Sequence, residues 1–184
     1  MRDVAGLITE VAEARHRVVA AVQSLTTEQG AFKCAPDRWS VQEIVEHLVL
    51  AEQAGIHRIW LAADGLRRGQ PVWQGEAVHR SLPIEEVIVR AWKPKEKAPP
   101  NASPQMGGPL AFSVACLHAC HPVLEGLGDA LHGLDLSLVI FPHFLSGPLD
   151  ARQRLEFLRF HLDRHRHQIE ALMTGAGFPR QARP

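Results

Sequence analysis

The chain is notable first for what it lacks. It carries no net charge, because twenty basic residues balance twenty acidic ones. With no basic field, nothing favours a nucleic-acid partner or an anionic membrane surface. It also lacks a cysteine framework. Three cysteines, Cys34, Cys116 and Cys120, are an odd and irregular set, which argues against a disulfide-built secreted scaffold. The first residues hold neither the apolar run nor the cleavage pattern of a signal peptide. We read no apolar segment as long as the roughly 18 residues a membrane span requires. The resulting expectation is a protein of the reducing cytoplasm, with no nucleic-acid and no membrane partner. Near-zero net charge is mildly permissive of self-association.

What is present is ordinary in bulk and unusual in one residue. The 46% hydrophobic and 22% charged fractions match a soluble globular protein. The length suits one domain with a sizeable core. We expect that domain over residues 1–178, with a frayed tail at 179–184. Histidine, however, occurs eleven times in 184 residues.

Taken in order, Val4, Leu7, Ile8, Val11, Val18, Val22 and Leu25 recur at helical spacing. They predict a helix over residues 3–25. Ser40 and Glu43 can form a capping box, and Trp39 and Ile44 a hydrophobic staple, at the start of a second helix running to about Leu66. Its apolar stripe includes Ile44, Leu48 and Ala51, with His47 between them. His57 lies near the same stripe.

Residues 67–109 are irregular, apart from a short helix predicted from Pro83. A proline-rich connection from Lys93 to Pro104 should run over the surface. A crossover of this length frees its flanking helices from being antiparallel neighbours. A third long helix spans 110–132, its stripe drawn through Phe112, Ala115, Cys116, Ala119, Val123, Leu127 and Leu131. Pro122 should kink or split it. Cys116 and Cys120 face away from His118 and His121, so they read as interface packing and not as a metal site. Residues 138–148 read as a connector and a turn, with no strand. Asp150 and Gln153 suggest a cap for a last helix ending near Thr174, where Gly175 and Gly177 stop it.

Four long amphipathic segments with one long crossover, between helices 2 and 3, imply an all-α four-helix bundle. In the last helix, His161, His165 and Gln168 share one face. Chance gives about half of one His-x-x-x-His pair at this histidine density, so the spacing alone identifies nothing. Two imidazoles also rarely hold a metal without a third ligand. His47 reads either as that ligand or as a satisfied core residue. Gln168 could orient a ring or a bound water, or satisfy a buried carbonyl. Glu43 could orient His47, but the capping box competes for it. His167, Asp163, Arg164 and Arg166 read as solvated.

The segment Arg38-Trp-Ser-Val-Gln-Glu-Ile-Val-Glu-His47-Leu48 resembles the second-helix signature of the DinB-like superfamily, which includes the YfiT proteins. Phe141-Pro-His143-Phe-Leu-Ser-Gly147-Pro-Leu149, followed by His161-x-x-x-His165-x-x-Gln168-Ile169, resembles its C-terminal signature. Lys97 to Gly107 is similar to its crossover. The resemblance runs from about Leu25 to Leu172. It implies a divalent metal held by His47, His161 and His165, with zinc or nickel first and iron or manganese next. His143 is not a ligand in that pattern, and Phe144 stands where a proline often follows. The family includes bacillithiol S-transferases, a mycothiol-dependent maleylpyruvate isomerase and members described as metal-dependent hydrolases. It therefore implies a hydrolase or thiol S-transferase acting on a small molecule, with a low-molecular-weight thiol as a candidate partner. The alternative is a non-catalytic bundle binding a metal or small ligand. Relatives often form homodimers, so a homodimer is expected.

Overall fold

A computed structural model describes residues 3–92 and 98–180. Four long helices make the bundle: α1 (Val4–Val22), α3 (Val41–Arg67), α5 (Leu110–Leu131) and α6 (Ala151–Thr174). Two short helices join them, α2 (Thr27–Ala31) and α4 (Ile84–Ala91). The expected all-α four-helix architecture is what the chain adopts.

Local chemistry fixes the helix starts. The Asp3 side chain caps α1 by accepting from the Gly6 amide at 2.8 Å. Capping boxes open α3 through Ser40 and Glu43 and α6 through Asp150 and Gln153, as the sequence predicts. A third, Thr26 with Gln29, opens α2. That helix has a single turn and no apolar periodicity to announce it.

Three sets of contacts give the helix directions. Arg15 of α1 reaches Glu52 of α3 and His121 of α5, and Ile8 packs over Gly128, so α1 and α5 are antiparallel. Trp60 lies over Gly126, so α3 and α5 run the same way. Gly55 meets Leu158, and His47 meets His161 and His165, so α3 and α6 are antiparallel. Parallel α3 and α5 are what the long crossover is for: the chain must travel back along the bundle between them. The most extensive pairings are α1 on α6 and α3 on α5.

One apolar core draws on all four long helices, with Leu7, Val18, Leu48, Ile59, Leu117, Leu124, Leu155 and Ile169 among its members. A smaller cluster beneath α4 joins Ile84, Val87 and Ile88 to Leu149. Across the core, the Arg15 Nε donates to Glu52 at 3.0 Å. Burial raises the Glu52 pKa and Arg15 pulls it back.

Five expectations need correcting. First, residues 138–148 are not strand-free. Ile140–His143 (β1) pairs antiparallel with Gly147–Asp150 (β2), Phe141 opposite Leu149. Proline in both strands and a length of four residues each hid the hairpin. Second, the buried stripe of α5 is Leu110, Ser113, Leu117, Cys120, Leu124, Leu127 and Leu131, while Phe112 and Val123 are exposed. This helix is apolar on most sides, so two overlapping stripes satisfy the same spacing. Third, of the kink or split expected at Pro122 the split does not occur, since Pro122 lies inside a continuous α5. Pro122 and His118 face solvent, so water can take the carbonyl the proline leaves unpaired. Fourth, α5 is long and apolar enough, by length and composition, to cross a membrane; here its buried stripe packs on α1 and α3. Fifth, the crossover does not stay on the surface. Its Pro100–Ala102 turn buries Ala102 against α3. Residues 93–97 of the proline-rich connection and 181–184 of the expected tail lie outside the described residues.

Candidate metal centre

The site forms where the first half of α3 meets the middle of α6. His47 lies two turns inside α3, whose entry the Ser40–Glu43 box fixes. His161 and His165 lie one turn apart on α6. The three rings converge: His161 Nε2 is 3.2 Å from His47 Nε2 and 3.2 Å from His165 Nε2. His47 and His165 are buried. Among the described residues, no other group of three or more His, Cys, Asp or Glu side chains converges in a way that could hold a metal ion.

Backbone chemistry sets the tautomer of His47. Its Nδ1 lies 2.6 Å from the Ala102 carbonyl oxygen. A carbonyl can only accept, so Nδ1 carries the proton and Nε2 turns a bare lone pair toward the other rings. Two nitrogens about 2.05 Å from one ion at a tetrahedral angle would stand about 3.3 Å apart. The observed spacing fits that requirement, as does a ligand ring donating its other N–H to a carbonyl.

Burial also keeps the rings neutral, as ligation demands. It lowers the pKa of His47, against the opposing pull of the Ala102 carbonyl. Burial, then the neighbouring His165 and His47, hold His161 well below the usual imidazole range. His165 is pushed down to about 3, first by burial and then by His47 and Arg164, while the Gln168 side chain beside it works the other way.

The other residues singled out from sequence fall as follows. Glu43 spends its carboxylate on the Ser40 amide at 2.8 Å and the Lys33 ammonium at 2.7 Å. The group on His47 Nδ1 is Ala102, not Glu43. Gln168 is exposed and lines the cavity beside the cluster. His57, His118 and His121 are exposed and stand outside the cluster. Burial raises the Cys120 thiol to about 12, which suits packing and not ligation. Arg164 is solvent-exposed, as read, yet its guanidinium lies 5.7 Å from the Trp92 ring centroid at the cavity wall.

Sequence reasoning missed Glu46. It is almost fully buried beside His47 and accepts from the amides of Gln105 and Met106, both at 2.6 Å, and of Gly107 at 3.1 Å. One carboxylate therefore pins the crossover next to the Ala102 carbonyl. No local signal marked it: Gln42 and Glu43 share its helix face, and its amide partners lie 59 or more residues away. Also missed was the aromatic wall. Phe157 lies against His161 with ring centroids 5.5 Å apart. His143 stacks on Trp92, and its Nδ1 accepts from the Leu145 and Ser146 amides.

These groups line a cavity of about 1250 Å³ open to solvent, somewhat above the roughly 300–1,000 Å³ of most small-molecule sites. Three neutral imidazoles on a divalent ion leave a cationic centre with room for a further ligand. The sequence model of the DinB superfamily matches residues 10–169. No curated protein and no solved structure matches the chain.

Proposed function

The chain belongs to the DinB superfamily, and from that premise we propose that His47, His161 and His165 bind a divalent metal, zinc or nickel first, at which a small molecule is processed. The observation that carries this is the convergence of three Nε2 atoms, with the His47 tautomer set by Ala102. A metal there supplies Lewis acidity, able to lower the pKa of a water or a thiol that reaches it. The chain's own residues do the rest. Burial keeps the imidazoles free of protons. The crossover and the Phe157–Trp92 wall shape the cavity mouth and enclose a ligand. The reaction class is hydrolysis or transfer of a low-molecular-weight thiol. A non-catalytic metal- or ligand-binding role is the second reading, favoured by the absence of any acidic cavity-lining residue other than Asp37 among those described.

The test is elemental analysis of the purified protein beside His47→Ala and His161→Ala, followed by turnover assays with activated esters and with thiol plus electrophile. About one metal per chain, lost in both variants, is expected. Unchanged stoichiometry in the variants would remove the site. Metal loss on chelation that lowers the melting temperature, with no turnover in either assay, would favour the non-catalytic role.

Self-association as a homodimer is part of the proposal. The exposed Phe112 and Val123 of α5, with Trp60 and Leu61 of adjacent α3, support it. Sedimentation of Phe112→Glu tests it, with a shift to monomer expected.

A further inference from the structure

Arg154 is buried in a way that the metal cluster does not explain. It is 3% exposed and lines the cavity. Its Nη1 is enclosed and has no hydrogen-bond partner. Among the described residues no carboxylate pairs with it, and the Phe141 ring lies 5.8 Å from the guanidinium carbon. The nearest charges make matters worse. Arg58 of α3 lines the same cavity, and its charge, after burial itself, helps lower the Arg154 pKa to about 10. A buried guanidinium facing a second cation is costly unless something else supplies the negative charge.

The third neighbour is also a donor. His143 Nδ1 accepts from two backbone amides, so its proton sits on Nε2. Burial and the charges of Arg154 and Arg58 keep the ring neutral. Three donor groups thus line one end of the cavity. Among the described residues the only acid lining it is Asp37, which precedes α3 and stands about five helical turns before Arg58.

We propose that Arg154, Arg58 and the Nε2–H of His143 form an oxyanion subsite that anchors the carboxylate or phosphate group of a small-molecule ligand. Arg's planar fork suits bidentate capture of either group. The placement also sets a length. Arg154 precedes His161 by seven residues on one helix, two turns and about 10 Å along the same face. The anchored molecule therefore extends from the anion site toward the three histidines, past Phe157. The anion site stands without the metal; only the distance to a reacting centre rests on the metal reading.

The test measures thermal unfolding of the purified full-length chain in potassium phosphate, in succinate and in potassium chloride at equal ionic strength. Phosphate or succinate should raise the midpoint by several degrees over chloride, and the better of the two identifies the group. Arg154→Met should abolish that shift while unfolding at or above the wild-type midpoint in chloride, because it removes an uncompensated buried charge. A purely structural arginine would lower the midpoint and leave any anion shift intact. Should Arg154→Met fail to fold, Arg58→Met carries the test, with the shift reduced. His161→Ala should keep the shift. No oxyanion-specific shift in the wild type, or a shift lost in His161→Ala but kept in Arg154→Met, overturns the proposal. A shift that depends on Arg154 in a protein with no metal leaves the anion site standing and removes the metal reading.

Discussion

Glu46 gives the sharpest test of how the crossover supports the proposed metal centre. Glu46→Gln keeps the side chain's shape but turns an N–H₂ group toward backbone amides that can only donate. Three hydrogen bonds, two of them 2.6 Å long, are weakened or lost. Bonds to a charged acceptor contribute about 1.5–3 kcal/mol each. The donors belong to Gln105, Met106 and Gly107, which are exposed and can turn to water. The loss should therefore be near 3 kcal/mol in all and not the full sum. For a chain of this size that is a fall in melting temperature of roughly 6–12 °C. The functional effect is separate. If Glu46 holds the Ala102 carbonyl on His47, freeing the crossover should weaken metal binding about 10–100-fold, as loss of a ligand-orienting partner does. Metal competition with a chromogenic chelator and urea unfolding would be run side by side. Leu7→Ala, a core truncation of about 2–5 kcal/mol far from the site, is the control: it should lose stability and keep affinity. Glu46→Gln with unaltered metal affinity would refute the reasoning, whatever its stability.

Other expectations are simpler. His143 is held neutral down to about 3, first by burial and then by Arg154 and Arg58. Its folded pKa is thus depressed below the unfolded 6.5, and the unfolded chain takes the proton first. Stability should be intact above about pH 6.5 and fall through the window below it, by about 2 kcal/mol at pH 5 from this group; His143→Asn should reduce the fall in urea midpoint between pH 7 and 5, leaving the part due to His47, His161 and His165, and equal slopes would contradict this. A thiol reagent should label exposed Cys34 quickly, half-buried Cys116 slowly and Cys120 only on unfolding, with mass spectrometry as the readout. A Cβ on Gly65 would stand 2.7 Å from the Gln70 carbonyl oxygen, so Gly65→Ala should cost roughly 1–3 kcal/mol in urea unfolding.

The parts of the fold legible in sequence were those written in local chemistry. Ser40 with Glu43, and Asp150 with Gln153, mark helix starts because a cap needs its partner three residues away. His161 and His165 could be placed on one face because a helix turn is a fixed geometry. His47 could be proposed but not joined to them, since α3 and α6 meet only through the tertiary fold. What stayed hidden was long-range. Glu46 reads as a stray charge until the crossover folds over it. Arg154 carries no local signal, because Phe141 and His143 of β1 and Arg58 of α3 come beside it only in the fold. The buried side of α5 was misassigned because a helix apolar all round leaves the choice of face to its neighbours.

The parallel pairing of α1 with α6 has a consequence for how the molecule comes to exist. These helices open and close the described bundle, yet each is the other's most extensive neighbour. A chain emerging residue by residue can pair α3 with α5, but α1 must wait for the final helix, across more than a hundred residues of intervening chain. Contacts that far apart carry a loop-closure cost before they return anything, which slows folding. The same late helix brings two of the three histidines. Cooperative folding and acquisition of the site should therefore arrive together, once α6 has been made, and a nascent chain stalled before Ala151 should show neither.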